Sequence, residues 1–178
     1  VLDESRVYAL GAEGKLHCLA LSDGSLHWQR DLHADYQVEP SIYGVGASPL
    51  IEGDLLIVNL GGKPAAGIVA LDKSTDHTVW RATEHHASYT MPRAATIHDQ
   101  RCLFVLTAEG LVALRPTSGE LLWTVPFQSK ADQGVNATSP IVVDDKIVIS
   151  AYALGCLCLR VLPGGDYEEL WHRRRSLD

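Results

Sequence analysis

No run in this chain approaches the roughly 18 consecutive apolar residues that a helix needs to cross a bilayer. The opening stretch VLDESRVYAL also lacks the basic start and apolar core of a secretory leader. Direct membrane insertion by this segment is therefore not expected. Cysteines are few, and the spacing of Cys18, Cys102, Cys156 and Cys158 fits neither a zinc module nor a CxxC redox pair. Cys156 and Cys158 stand two apart in an apolar run, so on a strand they share one face, a poor arrangement for a disulfide. They read as small buried hydrophobes and leave the redox compartment open. Positive charge is short as well, with 15 Lys and Arg against 22 Asp and Glu and a net charge of -7. A phosphate backbone would be repelled, so no nucleic-acid partner is expected. The one basic cluster, Arg173, Arg174 and Arg175, reads as a solvated chain end. Long amphipathic helical periods are missing, and so is a GxSxG nucleophile elbow.

What is present is a repeat. The chain is 46% apolar and 21% charged, the balance of a globular protein, and its four tryptophans, Trp28, Trp80, Trp123 and Trp171, are spaced by 52, 43 and 48 residues. The same grammar precedes each of the last three. A short apolar run leads to an acidic turn (Glu52-Gly53-Asp54, His98-Asp99-Gln100, Asp144-Asp145), then a β-branched run, a glycine-containing turn, a third apolar run, a polar turn and the tryptophan. Runs of four to seven residues rich in Val, Ile and Leu, bounded by Gly, Asp, Asn and Ser, predict strands. The expectation is an all-β chain of four-stranded antiparallel meanders, the blades of a β-propeller, over about 1–34, 35–84, 85–127 and 128–178. A β-solenoid is the main competitor, but its repeats are shorter.

Counting back from each tryptophan, the tenth residue is Cys18, Ala70, Ala113 and Val161. A small side chain there leaves room for an indole, and Asp, Ser, Thr or Gly in the following turn suits its backbone. The four tryptophans are expected to be structural docking residues between neighbouring sheets. ALDKSTDHTVW and ALRPTSGELLW resemble the tryptophan-docking motif of the PQQ-like (quinoprotein and BamB-like) propeller repeat, whose pattern is Ala, any, Asp, any, any, Thr, Gly, three of any, Trp. CLALSDGSLHW keeps its Gly and Trp, and LPGGDYEELW keeps little beyond the Trp. The resemblance implies propellers of seven or eight blades, of which four are present here. The first unit aligns with its siblings as though cut inside its innermost strand, and the last ends near Trp171. The expectation is about half a ring, completed by missing blades or a second half. A closed four-bladed ring is the alternative.

Partner contacts in such folds fall on the long connections. Here these are DLHADYQVEPSIYGVGASP, RATEHHASYTMPRAA and TVPFQSKADQGVNATSP, which supply Tyr36, Tyr43, Tyr89, Met91, Arg93, Gln133 and Asn136. Tyr43, Tyr89, Arg93 and Asn136 are the candidates for a protein-binding rim, as aromatic anchors and directional hydrogen-bond groups. Glu84, His85 and His86 prompt the question of a metal, but neighbouring side chains on an extended chain point apart, and no second cluster stands at ligand spacing. No metal, catalytic residue or cofactor is expected. The resemblance also implies the alternative, a fragment of a PQQ-dependent dehydrogenase, whose PQQ lies between a tryptophan floor and a disulfide of adjacent cysteines beside a calcium ion. Leu157 separates Cys156 from Cys158, and all four tryptophans are already used by the motif. The preferred reading is a non-catalytic protein-interaction scaffold, which the resemblance places in the periplasm or cell envelope with a role in cell-envelope or outer-membrane protein assembly.

Overall fold

A computed structural model describes residues 1–39, 44–128, 136–152 and 154–174. It divides into two compact units, Val1–Ala87 and Ser88–Asp178. Each holds two four-stranded antiparallel sheets in simple meander order. In the first unit β1 (Leu2–Asp3), β2 (Arg6–Leu10), β3 (Lys15–Ala20) and β4 (Leu26–Asp31) precede a single helical turn, α1 (Leu32–Asp35). Then follow β5 (Leu50–Glu52), β6 (Leu55–Gly62), β7 (Ala66–Asp72) and β8 (Thr78–Ala82). The second unit has β9 (Arg93–Ile97), β10 (Gln100–Leu106), β11 (Gly110–Leu114) and β12 (Leu121–Pro126), then β13 (Ile141–Val143), β14 (Lys146–Ala151), β15 (Gly155–Val161) and β16 (Tyr167–Arg173). These are the blades of an all-β propeller fold.

The acidic turns sit where a two-residue hairpin needs left-handed backbone. Gly53 has φ +59°, His98 and Asp99 have φ +48° and +61°, and Asp144 has φ +54°. The apolar stretches between them bury one face of each sheet against its neighbour. Tyr8, Leu16 and Cys18 pack with Leu56, Val58, Leu60, Val69 and Leu71 in the first unit. Phe104, Leu106, Leu111 and Ala113 pack with Ile147, Ile149, Leu157 and Leu159 in the second. At about 25 cal/mol per Å² of apolar area, this burial is the main favourable term.

Every sheet carries the same irregularity. Cys18 pairs with Trp28, Ala70 with Trp80, Ala113 with Trp123 and Cys158 with Trp171, and the register slips immediately after each of the four. The extra residue is the one before the tryptophan: His27, Val79, Leu122 or Leu170. A bulge at that point sharpens the local twist and re-aims the indole. The fourth sheet corrects the residue count made from sequence, because the partner of Trp171 is Cys158 and not Val161. The β15–β16 hairpin is three residues longer than its siblings. Val161 pairs with Tyr167, and the reversal is made by Leu162–Asp166, with Gly164 and Gly165 at φ +110° and +93°. Val161 instead occupies the place of Leu21 and Lys73. Their amides donate to Asp145 O (2.8 Å), Ser5 O (2.7 Å) and Asp54 O (2.9 Å), each in the first turn of its own sheet.

Candidate functional site

The long connections and the second turn of each meander lie at one end of their unit, because antiparallel order returns the chain to that end after β4, β8 and β12. In the first unit Val45 N–H donates to Ala12 O (2.9 Å) and Lys63 N–H to Tyr36 O (2.6 Å), while Ala65 N–H donates to a Glu84 carboxylate oxygen (2.7 Å). Lys63 Nζ lies 2.6 Å from Glu39 Oε1, and this ammonium holds the Glu39 carboxyl below its ordinary range. Tyr36 is buried rather than displayed. Its hydroxyl is bonded to Thr78 Oγ1 (2.5 Å) and accepts from Arg30 Nη2 (3.2 Å), while Arg30 also donates to Asp35 Oδ2 (2.7 Å) and Asp76 O (2.6 Å). Tyr36 and Arg30 thus clasp the first sheet to the second. Tyr43 and Gln133 lie outside the described residues.

The second unit places Asn136 where sequence reasoning did not. It was expected on a rim, yet it is fully buried. Its Nδ2 donates to Thr107 O (2.7 Å) and Phe127 O (3.0 Å), and its backbone oxygen accepts from Tyr89 N–H (3.0 Å). A side-chain amide that donates to two carbonyls, on a residue whose backbone oxygen accepts the N–H of Tyr89, ties three segments together, which is why the side chain points inward. Ser88 and Thr90, also buried, both donate to Leu106 O, and Met91 N–H donates to Ser139 Oγ (2.9 Å). The lead-in segments of β9 and β13 therefore run together at one end of this unit. That leaves Tyr89 half-buried and Arg93, the first residue of β9, exposed at that end. Tyr152, 86% exposed in the β14–β15 connection, joins them by topology. Sequence reasoning missed it. The available signal was an aromatic residue in a short Ala/Leu/Gly connection, where no sheet can cover it.

The tryptophans act at the opposite end. Trp28 Nε1–H donates to Lys73 O (3.3 Å) and Trp123 Nε1–H to Gly165 O (2.8 Å), in each case the last turn of the following sheet. The Trp123 ring also lies 4.8 Å from Tyr167 and 5.9 Å from Phe104. Trp80 is buried, whereas Trp171 is 42% exposed.

A family model described as outer membrane protein assembly factor BamB matches residues 1–177. The chain belongs to this family. BamB from Moraxella catarrhalis has the same fold, with a TM-score of 0.66 at 21% identity over 92% of this chain and 48% of that one. The chain is also 28% identical over 141 residues to a quinoprotein ethanol dehydrogenase of Pseudomonas aeruginosa, covering 71% of the chain and 22% of the enzyme. It is 28% identical over 135 residues to a 1-butanol dehydrogenase (quinone) of Thauera butanivorans, covering 68% and 21%. The chain thus spans about a fifth of the curated relatives it matches.

The dehydrogenases raise the question of PQQ and calcium. The four cysteines are free thiols, and Cys156 and Cys158 lie along one face of β15, opposite Ser150 and Val148. Among the described residues no group of three or more His, Cys, Asp or Glu is placed to ligate a metal ion. The described residues therefore do not fit the disulfide-capped, calcium-bearing arrangement. No helix among them is long and apolar enough to cross a membrane.

Proposed function

We propose that this chain is a non-catalytic propeller scaffold that binds protein partners in the periplasm or cell envelope, in the service of outer-membrane protein assembly. The observation that carries the reading is the match of the BamB family model across residues 1–177. The end of the second unit that bears Tyr89, Arg93 and Tyr152 is the proposed contact surface. It offers an exposed aromatic and an arginine, the residue types that dominate binding energy. They stand on a backbone that Asn136, Ser88 and Thr90 hold rigid, so little entropy is lost on binding.

The test places a photo-crosslinking residue at Arg93, Tyr152 and, as a control at the other end, Asp99. Each variant is mixed with detergent-solubilised outer-membrane assembly machinery. Crosslinks from Arg93 and Tyr152 but not from Asp99 support the reading. The dehydrogenase relatives motivate a second arm, a fluorescence titration with PQQ and calcium alongside dye-linked alcohol oxidation. Saturable quenching with turnover overturns the scaffold reading.

A further inference from the structure

Burial alternates along the lead-in to β9. Ser88, Thr90 and Pro92 are buried, Tyr89 and Met91 are half-buried, and Arg93 is exposed. Ser88 and Thr90 anchor the inner side through Leu106 O, so Tyr89, Met91 and Arg93 form an outward stripe with the two-residue period of an extended chain. The amides of Tyr89 and Met91 are already bonded, to Asn136 O (3.0 Å) and Ser139 Oγ (2.9 Å). What the stripe presents to a partner is therefore a set of side chains and not an open hydrogen-bonding edge.

Arg93 departs from the repeat. In each sheet a row of paired residues leads from the innermost strand to the tryptophan, and its first member is Leu50 in the second sheet, Arg93 in the third and Ile141 in the fourth. In the first sheet Val1 holds that place, exchanging backbone hydrogen bonds with Tyr8. Three aliphatic residues show what the row needs structurally. An arginine stem can stand in for them while its charged head stays in water, but the guanidinium itself answers no need of the row. Among the described residues the Arg93 side chain has no ion-pair or hydrogen-bond partner, whereas Arg115, Lys146 and Arg160, toward the opposite end of the unit, are each paired with a carboxylate. Glu109 is the one acidic residue among the described residues at the Arg93 end, where the cations include Arg173, while the turns of the opposite end hold Asp99, Asp144 and Asp166.

We propose that this stripe binds an extended, acidic segment of a partner protein, with two apolar side chains at alternate positions lying on Tyr89 and Met91 and, two positions further on, an Asp or Glu carboxylate on Arg93. The inference rests on the scaffold reading above and adds the chemistry of the partner. A tyrosine ring supplies a rigid apolar body, a thioether adapts to the shape laid on it, and a guanidinium takes a carboxylate through two parallel N–H···O bonds. An extended partner repeats every two residues, as the stripe does. A chain of net charge -7 repels an acidic segment over most of its surface, which confines the contact to the end where Arg93 stands. An anionic membrane calls instead for a cluster of several cations, and the stripe has one.

The experiment titrates the 178-residue chain into labelled seven-residue peptides that carry two leucines and then Asp, Asn or Lys at alternate positions, and reads fluorescence anisotropy. The Asp peptide is expected to bind about tenfold or more tightly than the Asn peptide, and to weaken as salt is added. Arg93→Glu, with its fold checked by circular dichroism, should reverse the order in favour of the Lys peptide, a reversal that a purely structural role does not produce. The same substitution should remove the crosslink from Tyr152 to the solubilised assembly machinery. Equal binding of the three peptides, no binding of any of them, or no reversal in Arg93→Glu overturns the proposal. So does Arg93-dependent binding to phosphatidylglycerol vesicles without a preference among the peptides, which points to a lipid surface. Machinery that crosslinks equally to wild type and Arg93→Glu overturns the acidic segment and leaves the scaffold reading standing, whereas machinery that crosslinks to neither removes that reading, and the peptide series then judges the chemistry of the stripe by itself.

Discussion

Replacing Asn136 by alanine removes two hydrogen bonds, at 2.7 and 3.0 Å, from a site with no solvent exposure. Each bond is worth about 1 kcal/mol net, and a buried carbonyl that loses a donor costs about 1–3 kcal/mol. The expected loss is about 2–5 kcal/mol, a large fraction of the 5–15 kcal/mol typical of a domain. It should appear as a lower urea midpoint at unchanged slope, read by tryptophan fluorescence. Amide exchange at Tyr89 should accelerate, since its N–H is bonded to Asn136 O. Asn136→Asp sharpens the test. An ionised carboxylate has no proton to offer Thr107 O or Phe127 O, whereas the protonated form regains one donor. The folded state then binds the proton more tightly than the unfolded chain, so this variant should gain stability relative to wild type as pH falls. A loss below about 0.5 kcal/mol for the alanine variant, the range of an ordinary surface change, would refute the clasp. So would an aspartate defect that does not vary with pH.

Gly110→Ala should cost more than Gly24→Ala. A Cβ at Gly110 would lie 2.1 Å from Val125 O and 2.8 Å from Phe127 N, backbone atoms that cannot step aside, while at Gly24 nothing lies within 4 Å and only the left-handed backbone penalty of about 1–2 kcal/mol remains. Equal urea midpoints for the two variants would contradict this. The Asp72 carboxyl is held below its ordinary range by the amide and hydroxyl of Thr75 and the amide of Ser74. The stability it contributes is present above the unfolded-state value near pH 4 and is lost as pH falls through the lower folded value. Asp72→Asn should therefore flatten the acid limb of a stability profile. Burial pushes the thiols of Cys18, Cys102 and Cys158 up, whereas Cys156 is half-exposed. Alkylation at neutral pH, followed by mass spectrometry, should modify Cys156 first and the other three only on unfolding.

Much of the fold was legible because the repeat is written in residue types with local jobs. The acidic turns, the β-branched runs and the small residue across from each tryptophan are decided within a few residues, and each is reinforced by its copies. Counting from the tryptophan failed only in the fourth sheet. There, three extra residues in the Leu162–Asp166 hairpin put Cys158, not Val161, opposite Trp171. A hairpin's length can change without altering the strand pattern on either side of it, so spacing alone cannot detect the shift.

The candidate site was less legible. Asn136 and Tyr36 are polar residues in long connections, the usual description of a surface group, yet both are buried by bonds to residues distant in sequence. Tyr152 has no motif around it and is exposed only because its short connection leaves it no sheet to lie under. Sequence by itself determined four meanders, their turns and the identity of the tryptophan staples, since those follow from local propensity repeated four times. Tertiary structure alone decided which polar side chains became internal ties and which stayed at the surface. Those outcomes depend on which segments meet across tens of residues, and backbone carbonyls such as Thr107 O and Phe127 O recruit whichever donor the packing brings to them.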